Sequence, residues 1–359
     1  MASNLYVHFP FCRRKCTYCA LHSRCGSTQS ERDAYVRRLA ASLAELPGPL
    51  RFRTVYFGGG SPALCSLGPL LDLIESDEFT VELHPMDVCD RLLKELRDGG
   101  VNRISMGVQS LDDTTLAAMG RAYTVDQAER AFAGIREVFD NAGIDLIAGY
   151  PVEGSSPATA PQRLARLRGW GLAHCSVYSL QQEPDSILGR RISRARKERD
   201  DSFLSLLKTD DQILDEIREA AAFLESIGLR RYEISNYAVP GRECLHNLAV
   251  WRGEDYLGLG EGASGRVGLF RTHGMISLSE LHRPDSPCVE KVDPEYDSVE
   301  RAIFRLRTRE GIDVADRPQW RTALERFAAE GLVVRSGDSS YRLSARGTEV
   351  CDSILAELV

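Results

Sequence analysis

Short apolar runs alternate with amphipathic stretches along the first half of the chain, and the alternation predicts strands and helices in turn. Residues 5–8 read as a strand, and 32–46 as a helix stopped by Pro47-Gly48-Pro49. The same reading gives strand 54–57, helix 67–75, strand 80–83, helix 90–98, strand 103–107, helix 125–137, strand 144–147, helix 160–170 and strand 176–180. Six β units separated by helices predict a parallel sheet, and continued right-handed crossovers curl it into all or part of a barrel. Further on, the basic run 190–201 reads as a solvated connection. Residues 211–227 read as an amphipathic helix with Ile213, Leu214, Ile217, Ala221, Phe223 and Leu224 on its apolar side.

The pattern changes after Pro284-Asp-Ser-Pro287. Residues 299–306 and 319–329 are predicted helices, 332–335 and 341–343 flank a hairpin turn, and 346–358 close as a helix. The expected fold is therefore α/β. A partial parallel (β/α) barrel with its closing segment spans 1–270, and a small winged-helix-like domain spans 285–359.

Composition narrows the function classes. The 43% apolar content of the 359 residues supports an ordinary core. A net charge of −7 argues against a nucleic-acid partner, and residues 290–359 carry 11 Lys and Arg against 14 Asp and Glu, so the wing is a poor fit to DNA. No apolar run reaches membrane-spanning length. With no signal peptide read at the start, the expected location is the cytoplasm. Ten cysteines then imply a reducing compartment in which thiols stay free for metal.

Three of those cysteines dominate the chemistry. Cys12, Cys16 and Cys19 form a C-x₃-C-x₂-C run just after the first strand. Three thiolates can hold three irons of a [4Fe–4S] cluster and leave the fourth open. Cys25 and His22 lie close by in sequence and keep a zinc site as the alternative. The spacing resembles that of the radical S-adenosylmethionine (AdoMet) superfamily. That resemblance implies AdoMet chelated at the open iron and reductive cleavage of its sulfonium to a carbon radical.

Other polar residues fall near the C-terminal ends of the predicted strands, where parallel barrels build their sites. Gly58-Gly59-Gly60-Ser61 follows the second strand and either offers backbone to a ligand or makes a tight turn. Glu82 lies late in the third strand, Gln109 follows the fourth, Asp145 lies in the fifth and Tyr178 in the sixth. Arg121 can pair a carboxylate in a fork, and Asp145 can take ribose hydroxyls or an ammonium. For each, a barrel-end salt bridge or helix cap is the alternative. Tyr6 can contact bound AdoMet or the cysteine loop, while His8 reads as a packing residue. Arg13, Arg14 and Lys15 serve either solubility or the docking of an acidic electron donor such as flavodoxin. His246 and Trp251 can face a flat macrocycle, by iron ligation and stacking, or belong to a loop that closes the barrel with His246 hydrogen-bonded in the core.

Taken together, these motifs resemble the group of radical-AdoMet proteins that contains the heme chaperone HemW and the oxygen-independent coproporphyrinogen III oxidases such as HemN. Tyr6 through Cys12 resembles the group's opening, and Cys12, Cys16 and Cys19 match its cluster ligands. Tyr6, Gly59, Gly60, Ser61, Glu82, Gln109, Arg121 and Asp145 are the residues the resemblance assigns to AdoMet. Leu21 stands where the oxidases usually carry a fourth cysteine, and Cys12 leaves no room for their N-terminal extension. The resemblance thus implies a heme chaperone passing heme to a respiratory protein. Radical decarboxylation of coproporphyrinogen III and a HemN-like methyltransferase are the alternatives. Four departures from the group's pattern stand out: His84 for Asn, Tyr123 for His, Val250 for Tyr and Ser264 for His.

Overall fold

The structure, a computed structural model, describes residues 2–46, 49–154, 160–283 and 285–359. The predicted helix stop at Pro47-Gly48 and the break at Pro284 lie outside the described residues.

Six strands lie side by side in sequence order, all parallel: β1 (Asn4–Phe9), β2 (Leu50–Gly59), β3 (Ile74–Leu83), β4 (Arg103–Gln109), β5 (Asn141–Ala148) and β6 (His174–Ser179). Beyond β6, β7 (Asn236–Ala238) turns back antiparallel. On the other flank β8 (Tyr256–Leu259) pairs parallel with β1 and is followed by the antiparallel strands Ser264–Val267, Phe270–His273 and Val289–Lys291. The sheet is the predicted partial barrel, extended by a meander that the sequence reading missed.

Side chains alternate between the faces of each strand. Leu5, Val7, Phe9, Val55, Phe57, Val81, Ile104, Met106 and Ile144 point outward and have no exposed surface. Burying each is worth roughly 1.5–3 kcal/mol. The helices that cover this face include α1 (Gln29–Leu43), α2 (Asp90–Asp98) and α3 (Val125–Val138). Capping boxes at Thr28–Glu31 and Thr124–Gln127 start α1 and α3. The inner face is polar: Tyr6 and His8, Thr54 and Tyr56, Glu78 and Glu82, Arg103 and Ser105, Asp145, Ser176 and Tyr178.

Two local expectations are corrected. The helix expected over 67–75 shrinks to Gly68–Leu71, because the chain has already entered β3 at Ile74, paired in register with Leu50. Backbone pairing along a neighbouring strand overrides the local pattern. The basic run 190–201 is also not a loose connection, since it lies mostly in helix α4 (Ile187–Glu198). Leu188, Ile192 and Ala195 form a buried stripe at helical spacing, capped by Ser186, and the arginines cover the remaining faces.

Helix α5 (Asp210–Ser226) packs on the outer face of the sheet. Helix α6 (Leu245–Trp251) closes the lower end of the barrel. Its first backbone N–H groups point at a buried carboxylate: Glu78 accepts from Leu245 N and His246 N, each at 2.9 Å. An acidic group at a helix N-terminus is favourable, and hydrogen bonds to a charged group are among the stronger ones. Glu78→Ala is expected to lower unfolding free energy by about 2–4 kcal/mol in a chemical denaturation series. A loss under about 0.5 kcal/mol would show that the cap is idle.

The C-terminal segment builds its own core from Leu306, Val314, Trp320, Leu324, Phe327, Tyr341 and Ile354. These pack around a small sheet in which Ser340–Leu343 lies between Ile312–Asp313 and Val333–Arg335. The closing helix breaks at Val350 into Ala345–Glu349 and Cys351–Ala356. Among the described residues no helix is long and apolar enough to cross a membrane.

Candidate functional site

The cysteine loop leaves β1 and folds back on itself. Phe11–Cys12 pairs in parallel with Arg24–Cys25, so residues between them form a closed loop over the barrel mouth. Thr17 ties this loop to its surroundings: its N–H donates to Met119 O at 3.0 Å, its hydroxyl meets that of Tyr150 at 2.7 Å, and its carbonyl accepts from Leu188 of α4 at 2.7 Å. The cations of the loop are partly used internally. Arg13 pairs with Asp87 at 2.7 Å, and Lys15 holds Leu21 O at 2.7 Å and Ser23 Oγ at 2.6 Å. Arg14 stays exposed.

Cys12, Cys16 and Cys19 are half-buried free thiols. Burial pushes the Cys12 thiol up to about 11, with Cys19, Cys25 and Cys16 near enough to add to the shift. Among the described residues no three His, Cys, Asp or Glu side chains converge tightly enough to hold a single ion. Thiolates that each bind a different iron of one cluster need not converge on a point.

The glycine turn abuts the loop. Gly60 N donates to Phe9 O and Ser61 N to Phe11 O, both at 2.8 Å. A Cβ on Gly60 would stand 2.5 Å from Phe11 O and 2.9 Å from Cys12 Sγ, so only glycine lets the turn lie this close to the cysteine. Gly59 has a φ of +108°, and a Cβ there would meet the His8 ring. Ser61 donates to Asp87 Oδ2 at 2.5 Å, the same carboxylate that Arg13 holds.

Glu82 accepts from Gly59 N at 3.1 Å and from Tyr56 Oη at 2.8 Å. Burial, and then repulsion from Asp145, raise its carboxyl to about 7. Asp145 is also raised by burial, against hydrogen bonds from Ser176 and Ser105. Two carboxyl groups thus face the same interior, each held toward its neutral form by burial, an arrangement in which a nearby cation would favour ionisation. Tyr6 lines the wall beside them, with its hydroxyl 3.0 Å from His8 Nδ1, and His8 reaches His22 O at 2.8 Å.

Gln109 ends β4 rather than following it. Its φ of +70° goes with a register shift after Gly107, and its amide curls back over that glycine. Arg121 reaches into the cysteine loop, donating to Tyr18 Oη at 2.6 Å between the rings of Tyr18 and Tyr123. Its Nε is buried without a partner.

All the residues assigned to cluster and AdoMet therefore gather at one end of the barrel. His246 and Trp251 do not. His246 is only 4% exposed and bonds Thr54 through Nδ1 at 2.9 Å, below Tyr6 and Tyr56. Burial holds its ring neutral, with a pKa lowered to about 3. Trp251 lies edge-on to Phe304 beneath the Arg307 guanidinium, against the C-terminal segment.

Sequence reasoning missed Tyr18, which the cysteine loop brings against Arg121, and Tyr56, Arg103, Ser105 and Ser176, whose position on the inner face follows only from strand register. The four departures from the group's pattern include two that are paired in space with a histidine. His84 packs edge-on against Tyr123 at 5.1 Å. Ser264 stands directly across a strand pair from an exposed histidine, His273, with Oγ and Nδ1 3.4 Å apart.

The radical SAM superfamily model matches residues 6–158. The heme chaperone HemW of Lactococcus lactis is 32% identical over 326 residues, covering 86% of this chain and 83% of that protein. HemW of Escherichia coli is 34% identical over 287 residues, covering 74% and 70%. Among solved structures, the coproporphyrinogen III oxidase HemN of Escherichia coli superimposes with a TM-score of 0.76 at 22% identity, over 99% of this chain and 90% of that one, a likeness of fold. By sequence over most of its length, this chain belongs to the HemW family of radical SAM proteins.

Proposed function

We propose that this protein is a cytoplasmic heme chaperone, binding heme and passing it to an acceptor such as a respiratory protein. The observation that carries the reading is the likeness to a protein described as a heme chaperone, over 86% of this chain. Membership of the radical SAM superfamily implies a [4Fe–4S] cluster and AdoMet. The residues at the mouth suit both. Three half-buried thiols lie beside a glycine turn too tight for any side chain, and the unpartnered Arg121 Nε is free for a ligand carboxylate.

In this proposal Cys12, Cys16 and Cys19 hold the cluster. Gly59, Gly60 and Ser61 present backbone to the amino-acid end of AdoMet, with Tyr6 as the side wall. Glu82 and Asp145 face its positive charge and ribose, Arg121 its carboxylate, and Gln109 closes the rim. When bound, the pair supplies one-electron chemistry. The protein's own part is to orient the ligand, balance its charge and limit water at the mouth. An acidic electron donor docks over this end at the cysteine loop, where Arg14 is exposed while Arg13 and Lys15 are engaged internally.

Heme handling by His246 requires movement, because the ring is buried and bonded to Thr54. Its neutral state suits iron once α6 swings away. The test is anaerobic cluster reconstitution, a heme titration and a coproporphyrinogen III turnover assay on the same sample. Saturable heme uptake without turnover is expected, and turnover would make the chain an oxidase. Heme affinity is expected to fall about tenfold in His246→Ala. A loss in His273→Ala alone would move ligation to the mouth.

A further inference from the structure

The short ladder that closes the cysteine loop sets Phe11 beside Arg24 and Cys12 beside Cys25. Paired strands run about 4.8 Å apart. Directly paired residues therefore fall inside the Cα separation of about 4.4–6.8 Å that a disulfide spans. The pairing is firmly held. Arg24 N donates to Pro10 O at 2.6 Å, the Arg24 guanidinium lies 4.9 Å from the Phe11 ring centre, and it pairs with Glu261 at 3.1 Å. Both cysteines are free, Cys12 half-buried and Cys25 exposed. Cys16 and Cys19 sit on the intervening turn and have no such strand partner.

We propose that Cys12 and Cys25 form a disulfide in the cluster-free chain, a modification that holds Cys12 in reserve. The oxidant is a low-molecular-weight disulfide such as oxidised glutathione. The exposed Cys25 thiolate attacks one of its sulfurs, the S–S bond breaks and one thiol leaves. Cys12 then attacks the Cys25 sulfur, forming the Cys12–Cys25 bond and expelling the second thiol. Two protein thiols lose two electrons and two protons, and the two released thiols carry them. The bond keeps Cys12 from irreversible oxidation to sulfinic acid. A thiol reductant returns it for cluster assembly. The purpose of the device rests on Cys12 being a cluster ligand, whereas the bond itself does not.

The sequence makes the test direct. Trypsin cuts after Arg13, Arg14, Lys15, Arg24 and Arg32, so Cys12, the Cys16–Cys19 pair and Cys25 fall on three separate peptides. Cluster-free full-length protein is treated with oxidised glutathione, alkylated and digested with and without reduction. A reducible Cys12–Cys25 peptide pair is expected as the main linkage, with Cys16 and Cys19 alkylated. Cys12 linked to Cys16 or Cys19, or Cys12 and Cys25 each carrying only glutathione, overturns the proposal. In a second arm Cys25→Ser is reconstituted before and after exposure of the cluster-free protein to peroxide with oxidised glutathione. Normal iron uptake before exposure and a several-fold lower uptake than wild type afterwards, even with reductant, is expected, and equal losses overturn the protective role. Should unoxidised wild type take up no iron while the linkage forms, the cluster assignment fails and the disulfide stands. Normal iron uptake without the linkage overturns the disulfide and leaves the cluster assignment standing.

Discussion

Cys16→Ser yields a colourless protein after anaerobic reconstitution, with iron near background and no cleavage of AdoMet. Serine keeps the shape of the side chain and replaces a thiolate by a hydroxyl that stays protonated at neutral pH. With two protein thiolates left, the cluster loses its third anchor. Misfolding is a weak alternative explanation. Cys16 is half-buried, outside the packed cores, and the loop is held through Thr17 by bonds to Met119, Tyr150 and Leu188 that the substitution leaves intact. Cys89→Ser, at an exposed thiol on another element, serves as the control and should match wild type. Survival of both iron content and AdoMet cleavage in Cys16→Ser would falsify the cluster assignment.

Glu82→Gln is expected to weaken AdoMet binding by about tenfold or more and to flatten its pH dependence. A carboxyl raised to about 7 is largely protonated at pH 6 and largely ionised at pH 8. The cationic ligand prefers the ionised form, so the wild-type dissociation constant should fall about tenfold between those values. Titration of the ligand's own amino group is common to both proteins, and the difference between the two profiles isolates Glu82. The stability of ligand-free protein runs the other way. A carboxyl raised by folding contributes stability that is full below its unfolded pKa near 4.5 and is lost as pH rises through about 7. Thermal midpoints of ligand-free wild type should therefore drop relative to Glu82→Gln from pH 5 to pH 8, and added AdoMet should restore them. Parallel profiles for the two proteins would remove Glu82 from the site.

Much of this was legible in the sequence because the signals are local. The spacing of Cys12, Cys16 and Cys19 is a property of eight consecutive residues, and each strand of the barrel carries its own apolar run. What stayed hidden depends on pairing at a distance. Tyr56, Arg103, Ser105 and Ser176 are ordinary polar residues until register turns them onto one face. The strands from Tyr256 to His273 are four residues each, set among glycines, and are held by neighbours rather than by propensity. In α4 the arginines masked an apolar stripe of three residues. Single departures such as Tyr123 and Ser264 looked like losses, and only the fold shows His84 and His273 beside them.

The alternation along the barrel strands has a consequence for how such a protein can change. Residues that hold the sheet to its helices and residues that face the interior sit on opposite sides of the same backbone, one position apart. Leu5, Val7 and Phe9 belong to the apolar core against the helices, while Tyr6 and the buried His8 face the interior. A substitution on the inner side alters what the cavity recognises without opening a hole in the packed layer. One scaffold can thus drift from one cargo or reaction to another through single steps at inner positions other than structural anchors such as Glu78, each leaving a folded intermediate. A shared architecture between a chaperone and an oxidase is the outcome such a division of labour would produce.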